Sequence, residues 1–123
     1  MPPHWKDEPE DHDYPAATDY LTLIMGQAQA DKLVASLRDA PLVRRKAKDL
    51  LRASDLPHLP MDNPHVAADL RKVRKGRSLS PVLLVRGRAA QGAPLIVADG
   101  YHRLCASYHL SDDAAGAAAT LEP

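Results

Sequence analysis

Two short apolar runs, Pro81-Val-Leu-Leu-Val-Arg86 and Leu95-Ile-Val-Ala98, constrain this chain most. Each is bounded by turn residues and falls short of a normal helix, and Val82 and Val85 add β-branching. They predict buried strands at about 82–86 and 95–98, joined by a loop from Gly87 to Gly92. Most other apolar residues recur at helical spacing, so the fold expected is α+β. At 123 residues the chain suits one compact domain.

The rest of the chain divides on composition. Residues 1–15 hold four prolines and five acids, a mixture that neither nucleates a helix nor fills a core. They predict a flexible acidic arm, with Trp5 and Tyr14 as anchors if it docks. Residues 16–55 predict a helical segment. Thr18 caps a first helix bearing Leu21, Ile24 and Met25, which Gly26 ends. A second helix from Ala28 to Asp39 turns Leu33, Val34 and Leu37 inward. Pro41 opens a third, in which Val43, Ala47, Leu50 and Leu51 form one stripe. In residues 56–123, Leu56-Pro-His-Leu-Pro-Met reads as extended edge. Asn63-Pro64 starts a helix that turns Val66, Leu70 and Val73 inward and stops at Gly76. Asp99-Gly100 turns the second strand into a helix from Tyr101 to Leu110, whose inner face is Tyr101, Leu104, Cys105 and Tyr108. Ala114–Pro123 reads as a poor strand or a frayed tail, and Asp112-Asp113 as a solvated loop.

Charge is uneven although the formal total is zero. Residues 1–37 carry −5, residues 38–88 carry +8 and residues 89–123 carry −3. The basic middle, with Arg71, Lys72, Arg74, Lys75 and Arg77 at a helix end, would attract phosphate or a nucleic-acid backbone. If DNA binds there, the acidic arm competes for it, and deleting residues 1–15 should tighten binding. Solvated helix faces are the alternative. A single cysteine, Cys105, excludes an internal disulfide and a cysteine-rich zinc site, and the six histidines show no familiar metal spacing, so no metal site is expected. No apolar run approaches the roughly 18 residues of a membrane span. A cytoplasmic protein with no membrane partner is expected.

The chemistry concentrates at Asp99-Gly-Tyr-His-Arg103. A strand ends there, glycine permits a tight turn and close ligand approach, and a helix begins with unpaired N–H groups. Arg103 offers two parallel hydrogen bonds to an anionic oxygen, and His102 donates to phosphate or transfers a proton near neutral pH. Gly100, Tyr101, His102 and Arg103 are therefore the candidate phosphate- or nucleotide-binding residues, with Asp99 and His102 as catalytic candidates. The same residues also suit an ordinary capped turn in which Arg103 pairs with Asp99 or Asp112.

The order of extended segment, Asn-Pro, basic helix, "Ser-Pro-Val-Leu-Leu-Val-Arg", loop and "Leu-Ile-Val-Ala-Asp-Gly-Tyr-His-Arg-Leu-Cys-Ala-Ser-Tyr" resembles the ParB/sulfiredoxin superfamily over about residues 56–113. That family includes the N-terminal domain of chromosome-partitioning ParB proteins, sulfiredoxin and an ADP-dependent free-serine kinase. The resemblance implies a small mixed sheet with helices. It also implies nucleotide phosphates on Gly100, His102 and Arg103, and a wall formed by Asn63-Pro64 and the helix to Lys75. The residues name no cofactor; a nucleotide with magnesium, the ion bridged to phosphate by Asp99, is the candidate. Tyr101 stands where sulfiredoxin has its reactive cysteine, which argues against sulfinic-acid reduction. The function expected is nucleotide or phosphate binding, extending to phosphotransfer or nucleotide hydrolysis. The alternative is a non-enzymatic DNA- or protein-binding module on the same fold.

Overall fold

The computed structural model describes residues 3–87 and 94–121. Most of the expected Gly87–Gly92 loop lies outside them. The described residues form a mixed α+β structure of five helices and four strands: α1 (Asp13–Leu21), α2 (Gln27–Asp39), β1 (Leu42–Lys46), α3 (Ala47–Ala53), α4 (Pro64–Arg74), β2 (Val82–Arg86), β3 (Ile96–Asp99), α5 (Tyr101–Leu110) and β4 (Asp113–Thr120). The sheet runs β1-β4-β2-β3, antiparallel except for the parallel β4–β2 pair.

Pleating divides the core between the two faces of the sheet. On β2, Val82 and Leu84 join a cluster with Leu51, Val66, Leu70, Val73, Leu104 and Cys105, beneath α3, α4 and α5. Leu83 and Val85 join Leu21, Leu33, Val34 and Leu37, beneath α1 and α2. An apolar strand buried on both faces must read as a continuous run rather than an alternation, which is how residues 82–85 read. The inward faces expected of α2 and α4 are the buried ones. Asn63 caps α4, its Oδ1 accepting from the backbone N–H groups of His65 and Val66 at 3.0 and 3.2 Å, with Pro64 in the first turn. Among the described residues no helix is long and apolar enough to cross a membrane.

Four expectations about elements change. The third helix does not start at Pro41. Leu42–Lys46 is instead an edge strand, and only Ala47–Ala53 is helical. Exposed Arg44, Arg45 and Lys46 on that edge discourage pairing with another chain. The first helix begins at Asp13 and ends at Leu21. Gly26 is then the N-cap of α2, and Ile24 stands exposed.

The alanine-rich tail becomes β4, a strand hydrogen-bonded on both sides and packed against helices on both faces. Small side chains are needed there. A Cβ on Gly116 would lie 2.8 Å from Val82 Cγ2 and 3.0 Å from the Val82 carbonyl oxygen. Asp112 is also more than solvated loop. It adopts a left-handed φ of 60°, and its Oδ1 accepts the Lys48 N–H at 2.7 Å while its carbonyl accepts the Ala47 N–H at 3.2 Å. It thereby satisfies the start of α3 from across the sheet.

The N-terminal arm, expected to be flexible, is docked in this structure. Lys6 N–H donates to the Leu79 carbonyl and Leu79 N–H to the His4 carbonyl, both at 2.8 Å. Trp5 is buried in the cluster beneath α3–α5, its Nε1 donating to the Asp113 carbonyl at 3.2 Å. Asp13, only 2 % exposed, accepts from the Glu10 N–H at 3.0 Å and from the Ser80 hydroxyl. Because Trp5 is core, deleting residues 1–15 would open the fold and is no clean test of competition with DNA.

Candidate functional site

The strand-to-helix turn forms as its residues suggest. Gly100 has φ +99°, a left-handed conformation that side chains strain to adopt, and a Cβ there would meet Val82 Cγ1 and Arg103 Nη2, each at 2.7 Å. Leu104 N–H makes the first intrahelical bond, to the Gly100 carbonyl at 2.9 Å. Among the described residues no side chain caps the helix. The N–H groups of Tyr101, His102 and Arg103 therefore have no acceptor within α5, and the positive end of its dipole falls on them.

This turn opens on a cleft of about 280 Å³ between α4 and α5. One wall is Gly100 to Arg103, and the other is His65, Asp69 and Lys72. Those three share one face of α4 because they lie four and three residues apart. The His65 and His102 rings approach to 4.6 Å between centroids, tilted by 39°. Burial is the main cause holding His102 below its ordinary pKa, and the neighbouring His65 and Arg103 add to it while Asp69 opposes it. Asp69 is 8 % exposed, and its closest cation, Lys72, lies 3.8 Å away. Burial pushes its carboxyl upward against the pull of Lys72, Arg103 and both histidines.

Arg103 was expected to close on a ligand, but its guanidinium is engaged within the protein. Nε donates to the Ser80 carbonyl at 2.8 Å, and Nη2 donates to Asp99 Oδ2 at 3.1 Å and to the Pro81 carbonyl at 3.4 Å. Asp99 is held up mainly by burial, with Arg103 pulling it down and the Asp13 carboxyl adding to the rise. Asp99 and Arg103 thus form a strut within the cleft wall. Tyr101 turns its hydroxyl away, donating to the Pro57 carbonyl. His102 and the backbone of Gly100 remain at the cleft face.

Of the five basic residues at the end of α4, only Lys72 lines this cleft; Arg71, Arg74, Lys75 and Arg77 are exposed elsewhere. Cys105 is fully buried, as its place on the inner face of α5 implies. His65 and Asp69 join the site from α4, outside the Asp99–Arg103 motif. The available signal is the i, i+4, i+7 spacing of His65, Asp69 and Lys72, a polar stripe that flanks the buried Leu70 and Val73. Among the described residues no three histidine, cysteine, aspartate or glutamate side chains converge as metal ligands would. Comparison with protein-family models, with curated proteins and with solved structures finds no match.

Proposed function

We propose that the cleft between α4 and α5 binds a small phosphate-bearing molecule, a nucleotide being the class implied by the resemblance to the ParB/sulfiredoxin superfamily. The carrying observation is that the uncapped first turn of α5 opens on a cleft bearing His65, His102 and Lys72. In this reading, phosphate oxygens accept hydrogen bonds from the backbone N–H groups after Gly100. Lys72 supplies charge, and His102 and His65 supply donors. Arg103 and Asp99 position the turn rather than touch the ligand. Asp99 is paired with Arg103, and Asp69 faces Lys72 and both histidines, so neither acid leaves an uncompensated negative charge in the cleft.

Thermal denaturation with pyrophosphate and with ADP, with and without magnesium, tests this reading. A bound ligand raises the midpoint by mass action. His102→Ala and Lys72→Ala should each weaken binding about tenfold, the loss expected for one hydrogen bond to a charged group. Affinity should rise as pH falls, because His102 is held below its ordinary pKa and gains its proton in acid. No shift with any of these ligands overturns the reading. A response to duplex DNA that survives His102→Ala but not charge reversal at Lys75 and Arg77 would favour the DNA-binding alternative.

A further inference from the structure

At the other end of α5, Tyr108 meets His58 with ring centroids 4.2 Å apart and planes inclined by 55°. The pair lines a groove of about 470 Å³ whose remaining walls are Lys48, Asp49 and Arg52 of α3. The segment carrying His58 is fixed to α5 on both sides. Tyr101 donates its hydroxyl to the Pro57 carbonyl, and His109 Nε2 lies 2.7 Å from the Leu59 carbonyl. The aromatic shelf is therefore preformed. Tyr108 is half-buried and His58 exposed, and among the described residues the Tyr108 hydroxyl has no protein partner.

The cations of the groove, Lys48 and Arg52, are similarly available. Lys48 and Arg52 lie four residues apart, on one face of α3. Lys48 makes no ion pair among the described residues. Among the described residues Arg52 reaches only Asp49, at 3.4 Å, with its own side chain 84 % exposed. So open a pair contributes little and yields readily to a competing anion. Two aromatic rings and two cations lining one groove form the combination that holds a base by stacking and its phosphate by charge. The volume also lies within the range of small-ligand sites.

We propose that this groove binds a nucleobase together with its phosphate, presented by a single-stranded nucleic acid or by a free nucleotide. The base lies on Tyr108 and His58, and the phosphate sits between Lys48 and Arg52. This inference uses no residue of the α4–α5 cleft and stands independently of the function proposed for it.

The test is fluorescence anisotropy with a short labelled oligothymidylate, alongside calorimetric titration with thymidine monophosphate. Saturable binding is expected. Tyr108→Ala should weaken it about tenfold, the loss expected from one stacked base, while Tyr108→Phe should leave it near wild type. The double variant Lys48→Glu, Arg52→Glu lies on the surface and keeps the test valid if Tyr108→Ala misfolds. It should abolish most binding and flatten the salt dependence. Repeating the titrations in His102→Ala, which weakens nucleotide binding at the α4–α5 cleft, should leave the binding that depends on Tyr108, Lys48 and Arg52 in place, and this separates the groove from that cleft. Binding of the oligonucleotide alone identifies a single strand as the source, and equal binding of the mononucleotide identifies a free nucleotide. No saturable binding of either, or binding that persists through the charge reversal or through a folded Tyr108→Ala, overturns the proposal.

Discussion

Arg103 Nη2 lies 3.1 Å from Asp99 Oδ2, a pair that bridges the turn between β3 and α5 with each side chain less than one-fifth exposed. The same guanidinium reaches the carbonyls of Ser80 and Pro81, so one side chain ties α5 to the entry of β2 as well. Arg103→Ala should therefore destabilise the fold by about 3 kcal/mol, because it leaves a buried carboxylate and two carbonyls without their donor. Urea denaturation measures the loss. Arg103→Lys should recover little of it, since an ammonium cannot serve three acceptors in the planar fork.

Asp69 makes stability depend on pH. Burial raises its carboxyl above the ordinary 3.8, so the folded protein holds this proton to higher pH than the unfolded chain does. Its contribution is full below the ordinary value and is lost as pH rises through the folded one. Asp69→Asn should stabilise the protein at neutral pH and flatten the slope of stability between pH 3.8 and neutrality. Urea midpoints across that window decide it. A steeper slope in the variant would contradict the assignment.

Trp5→Ala tests whether the N-terminal arm is structural. The indole is 8 % exposed, packs in the main cluster and donates to the Asp113 carbonyl. Truncation should cost about 3–5 kcal/mol, typical of a buried aromatic. A loss below about 0.5 kcal/mol, the usual level for surface substitutions, would show the arm to be dispensable.

Cys105 should be inert toward thiol reagents in the native state. The side chain is fully buried, and burial pushes its thiol above the ordinary range. Labelling should follow global unfolding, accelerating with denaturant in step with the loss of helical signal. Rapid labelling of the native protein would place the thiol at the surface.

The strands at 82–86 and 96–99, the cap at Asn63 and the turn at Gly100 were all legible in the sequence, because each depends on local chemistry: apolar continuity, a side-chain oxygen, a missing Cβ. What was misread depends on distant partners. Val43, Ala47 and Leu50 keep helical spacing across a strand–helix junction, so periodicity hides the break at Lys46. Alanine and glycine disfavour strands in isolation, and only the crowding of Val82 and Leu84 against Gly116 explains β4. At the site, Arg103 carries the same side chain whether it grips a ligand or Asp99. The carbonyls of Ser80 and Pro81 that claim it lie more than twenty positions upstream.

The position of β4 also orders the assembly of the sheet. β1 and β2 do not pair with each other; each pairs with β4, whose residues follow both in sequence. A polypeptide emerging from the ribosome can collapse its helices early, but it cannot zip these two strands into one sheet until Asp113–Thr120 threads between them. Loop closure over such separations is slow. Until it occurs, β2 presents an apolar, unpaired edge to its surroundings, and the nascent chain is most exposed to misassembly at that stage.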